Sequence, residues 1–447
     1  MQKTSDPLKK IHDLLESGTY DQFRTLIKLL KPVDAAILLE NSPPKERKII
    51  WELIDKAHQS EILQELNEEI VGDLLSKASD TEIIQLLEQV DSDDDLTDIL
   101  QHLPDAITHQ LLQSMDSTDR QRVENLLSYA EDTAGGLMDT DTVSVRARVS
   151  LDVVLRYLRR HVELPETTDK LFVVNKLGQY MGLLPLSTLL VSDPSLTVKD
   201  VMISDVDPIP ADMPEAEVAQ LFSRYDLVSA PVTDETGILL GRITIDDVVD
   251  VIRDEADHTF LGQVGLTEVE DPFAPMLKTA RSRTIWLGAN LLTAFLASAV
   301  INIFEDTITK VVTLAILMPI VASMGGVAGS QTLTLVIRNR AQGHINDSNH
   351  RWLMKRELAV GAINGTVWAL VVAVAVTIIF ADITLGYIIA MALVINLVSA
   401  AIAGASLPGI LQRLGIDPAI AGTVLLTTIT DVIGFFSFLG LATLFYR

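Results

Sequence analysis

The chain contains no cysteine, which excludes disulfides, thiolate catalysis and any cysteine-ligated metal site. Its N-terminus lacks the basic-then-apolar pattern of a secretory signal, so the soluble part is expected to stay in the cytoplasm. Positive charge is scarce: 35 Lys and Arg stand against 60 Asp and Glu, a formal net charge of −25 over 447 residues. A surface of that sign disfavours nucleic acid and anionic lipid and attracts cations. No nucleophile–base pair and no metal-hydrolase spacing is present, so an enzyme is the least favoured class.

The acidity is unevenly spread. From Thr284 to Arg447 there are 8 Lys and Arg and 7 Asp and Glu, whereas the remaining 283 residues hold 27 and 53. A highly acidic soluble region is thus joined to a nearly neutral, apolar one. Five stretches of the apolar region, Ile285–Phe304, Val311–Ile337, Leu358–Phe380, Ile383–Leu411 and Ala419–Phe445, are long enough to cross ~30 Å of hydrocarbon. Lys278, Arg281 and Arg283 precede the first, and Arg338, Arg340, Arg351, Lys355 and Arg356 fill the link after the second. By the positive-inside rule the N-terminal region is cytoplasmic and the C-terminus faces out.

Asp431 is the only ionisable side chain deep inside these stretches. A carboxylate at the bilayer centre costs at least ~2.5–3.5 kcal/mol on insertion scales, so it needs a local reason, and a cation pathway is the most direct one. Thr427, Thr428 and Thr430 add oxygen atoms nearby. Oxygen-only surroundings suit hard cations, and a single carboxylate suits a hydrated Mg²⁺ better than a dehydrated cage. Five helices make a thin pore, so a homodimer with paired Asp431 residues on its axis is expected. The second stretch holds Pro319 and then Gly325-Gly326-Val327-Ala328-Gly329-Ser330-Gln331, which invites a kink or a break. Gly325-xxx-Gly329 and Gly361-xxx-Gly365 also read as close helix contacts, and Asn396 and Gln331 as interhelical hydrogen-bonding groups.

Residues 8–130 show only helical periodicity, broken every 15–20 residues, as expected of short stacked helical hairpins. The Asp91–Asp95 run is not an EF-hand, because Leu96 and His102 stand where glycine and glutamate are required. It either caps the next helix or forms a metal-responsive surface. In residues 137–252, Gly178 and Gly182 recur as Gly237 and Gly241 at an offset of 59. Each copy reads strand, turn, strand, helix, and the pair resembles tandem CBS domains. The second copy, Gly241-Arg242-Ile243-Thr244-Ile245-Asp246-Asp247, matches that family's ribose-phosphate pattern at Thr244 and Asp247. The first has Pro185 and Thr188 instead, so at most one nucleotide site is expected.

Asp247, Asp250, Asp254 and Asp257 follow at spacings of 3, 4 and 3 and fall within an arc of about 80° on one helix face, with Glu255 beside them. Such like-charge pairs destabilise a helix by roughly 0.2–0.5 kcal/mol each unless a cation bridges them to other acids. Asp226, Glu215, Glu217 and the Asp91–Asp95 run are the candidate partners. Because the stripe leads into the first span, it is a candidate cation-sensitive lever on a gate.

Over essentially its whole length the chain resembles the MgtE family of magnesium channels. The most specific local matches are Pro319 with Gly325-Gly326 and Gly329-Ser330-Gln331, then Gly415-Ile416-Asp417-Pro418-Ala419, then Thr427 through Ala442. The resemblance implies a multidomain membrane protein: an all-α helical-repeat N domain (1–130), an α/β CBS pair (131–252), an acidic connecting helix and linker (247–275) and a five-helix transmembrane pore domain (276–447). It implies a homodimeric Mg²⁺ channel for influx across the bacterial inner membrane, with Asp431, Thr427, Thr428, Gly325, Gly326 and Asn396 at the pore. Cytosolic Mg²⁺ would close it by binding among Asp91, Asp94, Asp95, Glu215, Glu217, Asp226, Asp247, Asp250, Asp254, Glu255 and Asp257. ATP on the CBS pair would strengthen that sensing. Two departures stand out: Val327 where the family usually carries Asn, and His258-Thr259 where it usually carries Glu-Asp. The alternatives are a coupled transporter of another divalent or an organic cation using Asp431 as proton carrier, and a membrane-anchored nucleotide sensor.

Overall fold

The computed structural model describes residues 20–76, 78–90, 93–160, 164–165, 167–266, 272–345 and 349–446. The chain forms two compact units, one running to Arg253 and including 272–274, the other running from Asp254 onward. In the first unit, short helices follow one another: α1 (Tyr20–Ile27), α2 (Pro32–Glu40), α3 (Pro44–Leu53), α4 (Lys56–Leu63), α5 (Glu68–Leu75), α6 (Asp80–Leu87), α7 (Asp93–Gln101), α8 (Asp105–Ser114) and α9 (Ser117–Leu126). Sequence punctuation sets their length. Proline opens α2 and α3 at their first turn, where a missing N–H costs nothing. Ser79 and Glu82 form a reciprocal capping box at α6, with Glu82 accepting from the Ser79 N–H at 3.1 Å. Helices two apart stack, α2 on α4, α4 on α6, α6 on α8, because none is long enough to bury its apolar stripe alone. Phe23, Leu39, Ile50, Leu87 and Leu111 meet in the resulting core.

The internal repeat builds two matching sheets. The first combines β1 (Ser144–Arg146), α10 (Leu151–Leu158), β2 (Lys170–Val174), β3 (Tyr180–Pro185), α11 (Leu186–Val191) and α12 (Val198–Val201). The second combines β4 (Ile209–Pro210), α13 (Glu215–Tyr225), β5 (Ser229–Thr233) and β6 (Leu239–Thr244). Each sheet has one parallel and one antiparallel ladder, and the offset of the sequence repeat returns in the register: Val173 pairs with Gly182 as Val232 pairs with Gly241. The paired glycines have a steric reason. A Cβ on Gly182 would lie 2.4 Å from the Ile203 carbonyl oxygen, and one on Gly241 would lie 2.6 Å from that of Asp139.

The acidic stripe is helical as expected, in α14 (Ile245–Gly262), which crosses from the first unit into the second. The second unit contains α15 (Met276–Ile303), the short α16 (Glu305–Lys310), α17 (Thr313–Ala341), α18 (His350–Phe380), α19 (Ile383–Arg413) and α20 (Pro418–Phe445). Five of these helices are long and apolar enough to cross a membrane. α19 lies in the middle, packed along α18, α17 and α20. Of the expected kink or break, the break is absent: α17 is a continuous helix through Pro319, Gly325, Gly326 and Gly329. Asn396 of α19 bears on this. Its Nδ2 donates to the Val321 carbonyl oxygen at 2.8 Å, a neighbouring side chain engaging the backbone just beyond the proline.

Candidate ion pathway

α17 carries two faces. Leu314, Leu317, Val321, Gly325, Thr332, Leu333 and Val336 are buried against the other helices. The opposite face runs Ala322, Gly326, Ser330, Thr334, Arg338 and Gln342, flanked by Ser323, Val327, Gln331, Leu335 and Asn339. Residues four apart on a helix lie nearly above one another. Along this face the hydroxyls and amides of Ser323, Ser330, Gln331, Thr334, Asn339 and Gln342 alternate with apolar residues. From Ala322 to Gln342 it extends roughly 30 Å at 1.5 Å per residue, from the middle of the apolar stretch to beyond its end. The strip borders an open cavity of about 1140 Å³, which Thr427 and Asp431 of α20 also line.

The positions expected at the pore divide in two. Asp431, Thr427 and Gly326 line the cavity. A Cβ on Gly326 would meet nothing within 4 Å, so this glycine faces open space. Gly325 faces the other way: a Cβ there would sit 2.3 Å from Asn396 Nδ2. Asn396 itself is fully buried between α17 and α20, and a Cβ on Gly434 would lie 2.8 Å from the same nitrogen. Gly325 and Asn396 thus shape the pathway wall from behind. Thr428 is not among the lining residues, and its hydroxyl donates to the Val424 carbonyl oxygen at 2.7 Å. Thr427 directs its hydroxyl at the carbonyls of Thr423 and Val424, at 3.1 and 3.0 Å, which leaves its oxygen lone pairs as acceptors. Gln331 lines the cavity rather than joining two helices, as its place in an apolar run suggests. The Gly-xxx-Gly pairs do act as contacts: a Cβ on Gly329 would lie 2.9 Å from Leu426, and one on Gly361 2.8 Å from the Ala401 Cβ.

One buried acid near the end of an apolar helix escapes the sequence reading. α18 begins at His350, eight residues before the apolar stretch starts, and so draws Glu357 into the span. Glu357 is 5% exposed. It accepts from Arg356 Nη1 at 2.7 Å and from the Thr332 hydroxyl at 3.3 Å, away from the cavity. The Arg356 neighbour satisfies the carboxylate locally.

The expected regulatory acids have local roles as well. Asp226 ends α13 in the left-handed conformation (φ 50°), which Asp tolerates better than most residues. Glu215 and Glu217 occupy the first turn of the same helix, where the dipole favours anions. Asp247 accepts from the Thr244 N–H at 3.3 Å and from its hydroxyl at 2.9 Å, so the two nucleotide-pattern residues hold each other at the start of α14. Asp250 pairs with Arg253 at 3.4 Å. The pKa of Glu65 is raised, first by its burial and then by like-charge repulsion from Asp250. Glu65, 185 residues from Asp250 in sequence, carries no signal that would have selected it. Asp95 is partly buried and Asp254 exposed; Asp91 and the Asp94 side chain lie outside the described residues. Among the described residues no three Asp, Glu or His side chains converge in a metal-binding group.

The C-terminal part of α14 rests on the pathway helices. Gly262 packs against α20, where a Cβ would lie 3.1 Å from that of Ala419. Thr334 on the cavity-lining strip donates to Gln263 Oε1 at 3.4 Å. His258 Nε2 lies 3.3 Å from the Asp417 carboxylate, which also caps α20 by accepting from the Ala419 N–H at 2.8 Å. Beside them, Glu255 has its pKa raised by desolvation, opposed by attraction to His258 and assisted by repulsion from Asp417.

The MgtE divalent cation transporter model matches residues 318–441, the MgtE intracellular N domain model 30–132, and the CBS domain model 198–254. A magnesium transporter MgtE of Bacillus subtilis is 30% identical over 433 residues, covering 97% of this chain and 96% of its own. One of Thermus thermophilus is 33% identical over 444 residues, covering 97% of each chain. Among solved structures, the cytosolic domain of the Mg²⁺ channel MgtE in complex with ATP is 34% identical, with a TM-score of 0.49 over 55% of this chain and 99% of that one.

Proposed function

The chain belongs to the MgtE family of magnesium transporters, and on that premise we propose that it is a Mg²⁺ channel whose pathway is the cavity holding Asp431 and which cytosolic Mg²⁺ closes. The observation that carries this reading is the presence of one carboxylate together with several hydroxyl and amide groups on the wall of one cavity beside α17. Mg²⁺ gives up water reluctantly, so it passes most easily with its hydration shell, and hydroxyls and amides are the groups that hydrogen-bond such a shell. Asp431 supplies the negative charge that concentrates the cation. A proton-coupled transporter would call for a second acid on the path. Among the described residues Asp431 is the one carboxylate on the cavity wall, and Glu357 sits elsewhere.

Gating is read from α14. Its charged face gathers acids that repel one another, and the raised pKa of Glu65, set first by burial, carries a further contribution from the charge of Asp250. A divalent cation shared by such acids reverses the sign of that interaction. Because the end of α14 touches both α17 and α20, a change in its position is transmitted to both pathway walls. Homodimer formation, an outward C-terminus and ATP at Thr244 and Asp247 belong to the same reading. The test is recording from purified protein in a planar bilayer, with Mg²⁺ stepped on the cytosolic side, beside Asp431→Ala. Mg²⁺ current that shuts off as cytosolic Mg²⁺ rises and is lost in the variant is the expected result. No current from folded wild type overturns the reading.

A further inference from the structure

The cavity wall carries a charge of the same sign as its cargo. Arg338 stands on the cavity-lining strip of α17, four residues beyond Thr334, in the same cavity as Asp431. Its guanidinium is exposed and takes part in no ion pair among the described residues. The residues around it on the wall, Asn339, Gln342 and His344, bring no anion. At 1.5 Å per residue it lies roughly 24 Å along the helix from Ala322, at the end that the loop charges assign to the cytosol. Arg338 and Arg340 both stand in the last turn of α17, where a cation complements the helix dipole, and both belong to the positive charges of the cytosolic side. Of the two, Arg338 is the one on the cavity wall, so its charge also acts on whatever passes there.

We infer that Arg338 is a direction-determining residue for cation passage: its fixed charge depletes divalent cations at the cytosolic mouth, so that current enters more easily than it leaves. This rests on the channel reading above. Depletion follows a Boltzmann factor in ion charge, so its effect on a divalent ion is the square of that on a monovalent one. A divalent ion ~10 Å from one positive charge in water is disfavoured about fourfold before salt screening. The Debye length falls from about 10 Å at 0.1 M to about 3 Å at 1 M, so the effect vanishes in high salt.

The experiment records single-channel amplitudes in symmetric Mg²⁺ at positive and negative voltage, since amplitude does not depend on how often the channel opens. Wild type is expected to pass about threefold more inward than outward current at low ionic strength and nearly equal currents in 1 M salt. Arg338→Gln should equalise the two directions, Arg338→Lys should keep the asymmetry, and Arg338→Glu should invert it. A monovalent cation should show the weaker asymmetry. A wild type whose inward and outward currents are equal, or an asymmetry unchanged in Arg338→Gln or by salt, overturns the inference while leaving the channel intact. Absence of any wild-type current overturns the channel reading itself, and this inference with it.

Discussion

Asn396 and Gly325 occupy one another's space at the centre of the membrane unit: the Asn396 amide lies where a Gly325 side chain would be, 2.3 Å from the Cβ position, and bonds Val321 at 2.8 Å. This contact fixes which face of α17, and with it Gly326, turns toward the cavity.

Removing it should cost stability. Asn396→Ala deletes a fully buried hydrogen bond and is expected to destabilise by about 1–3 kcal/mol. Gly325→Ala forces a clash into the same place and should be at least as damaging, whereas Gly326→Ala, facing open space, should stay within about 0.5 kcal/mol in packing terms, less any gain from helix propensity. Thermal unfolding of the detergent-solubilised variants reads the difference. Equal loss from both glycine variants would refute the assignment of the two faces.

Asp431→Asn should separate folding from transport. The substitution removes a charge whose placement costs at least ~2.5–3.5 kcal/mol at the bilayer centre, so the variant should fold as well as wild type or better. Mg²⁺ uptake into liposomes should fall at least tenfold. A variant that unfolds instead would assign Asp431 a structural role.

Val327 is 57% exposed and lies on the cavity wall beside Gly326. Val327→Asn adds a hydrogen-bonding group there without burying it, so stability should change by no more than about 0.5 kcal/mol. Single-channel Mg²⁺ conductance should rise. The same rise in Val327→Ala would point to pore width rather than polarity.

Glu255 gives a pH signature. Its folded-state pKa is raised, by desolvation first, so its protonated form is favoured in the folded protein. The stability this contributes is fully present below the ordinary glutamate value of 4.5 and is lost as pH rises through the raised folded value. Glu255→Gln should therefore gain on wild type in thermal midpoint as pH rises from about 4 to about 7. A constant offset between the two curves would contradict the shift.

Much of the architecture was legible in the sequence because its signals are local. Apolar length reveals five spans, the paired glycines at an offset of 59 reveal two equal α/β units, and proline and serine punctuation reveals the short helices before them. Asp431 was legible for the same reason, since a charge inside an apolar run stands out without any partner. Glu357 was not, because it sits at the edge of its run and only the full length of α18 brings it into the span.

Local pattern alone determined the order of the helical, α/β and apolar parts, the five apolar helices and the carboxylate within the last of them. Tertiary packing decided which of two adjacent glycines faces the cavity, that Asn396 braces the wall while Gln331 lines it, and that Glu65 feels the charge of Asp250. The physical reason is that every side of a membrane helix is apolar enough to tolerate lipid. Hydrophobic periodicity therefore does not orient α17, and contacts with α19 and α20, formed by residues distant in sequence, decide which of its faces lines the cavity.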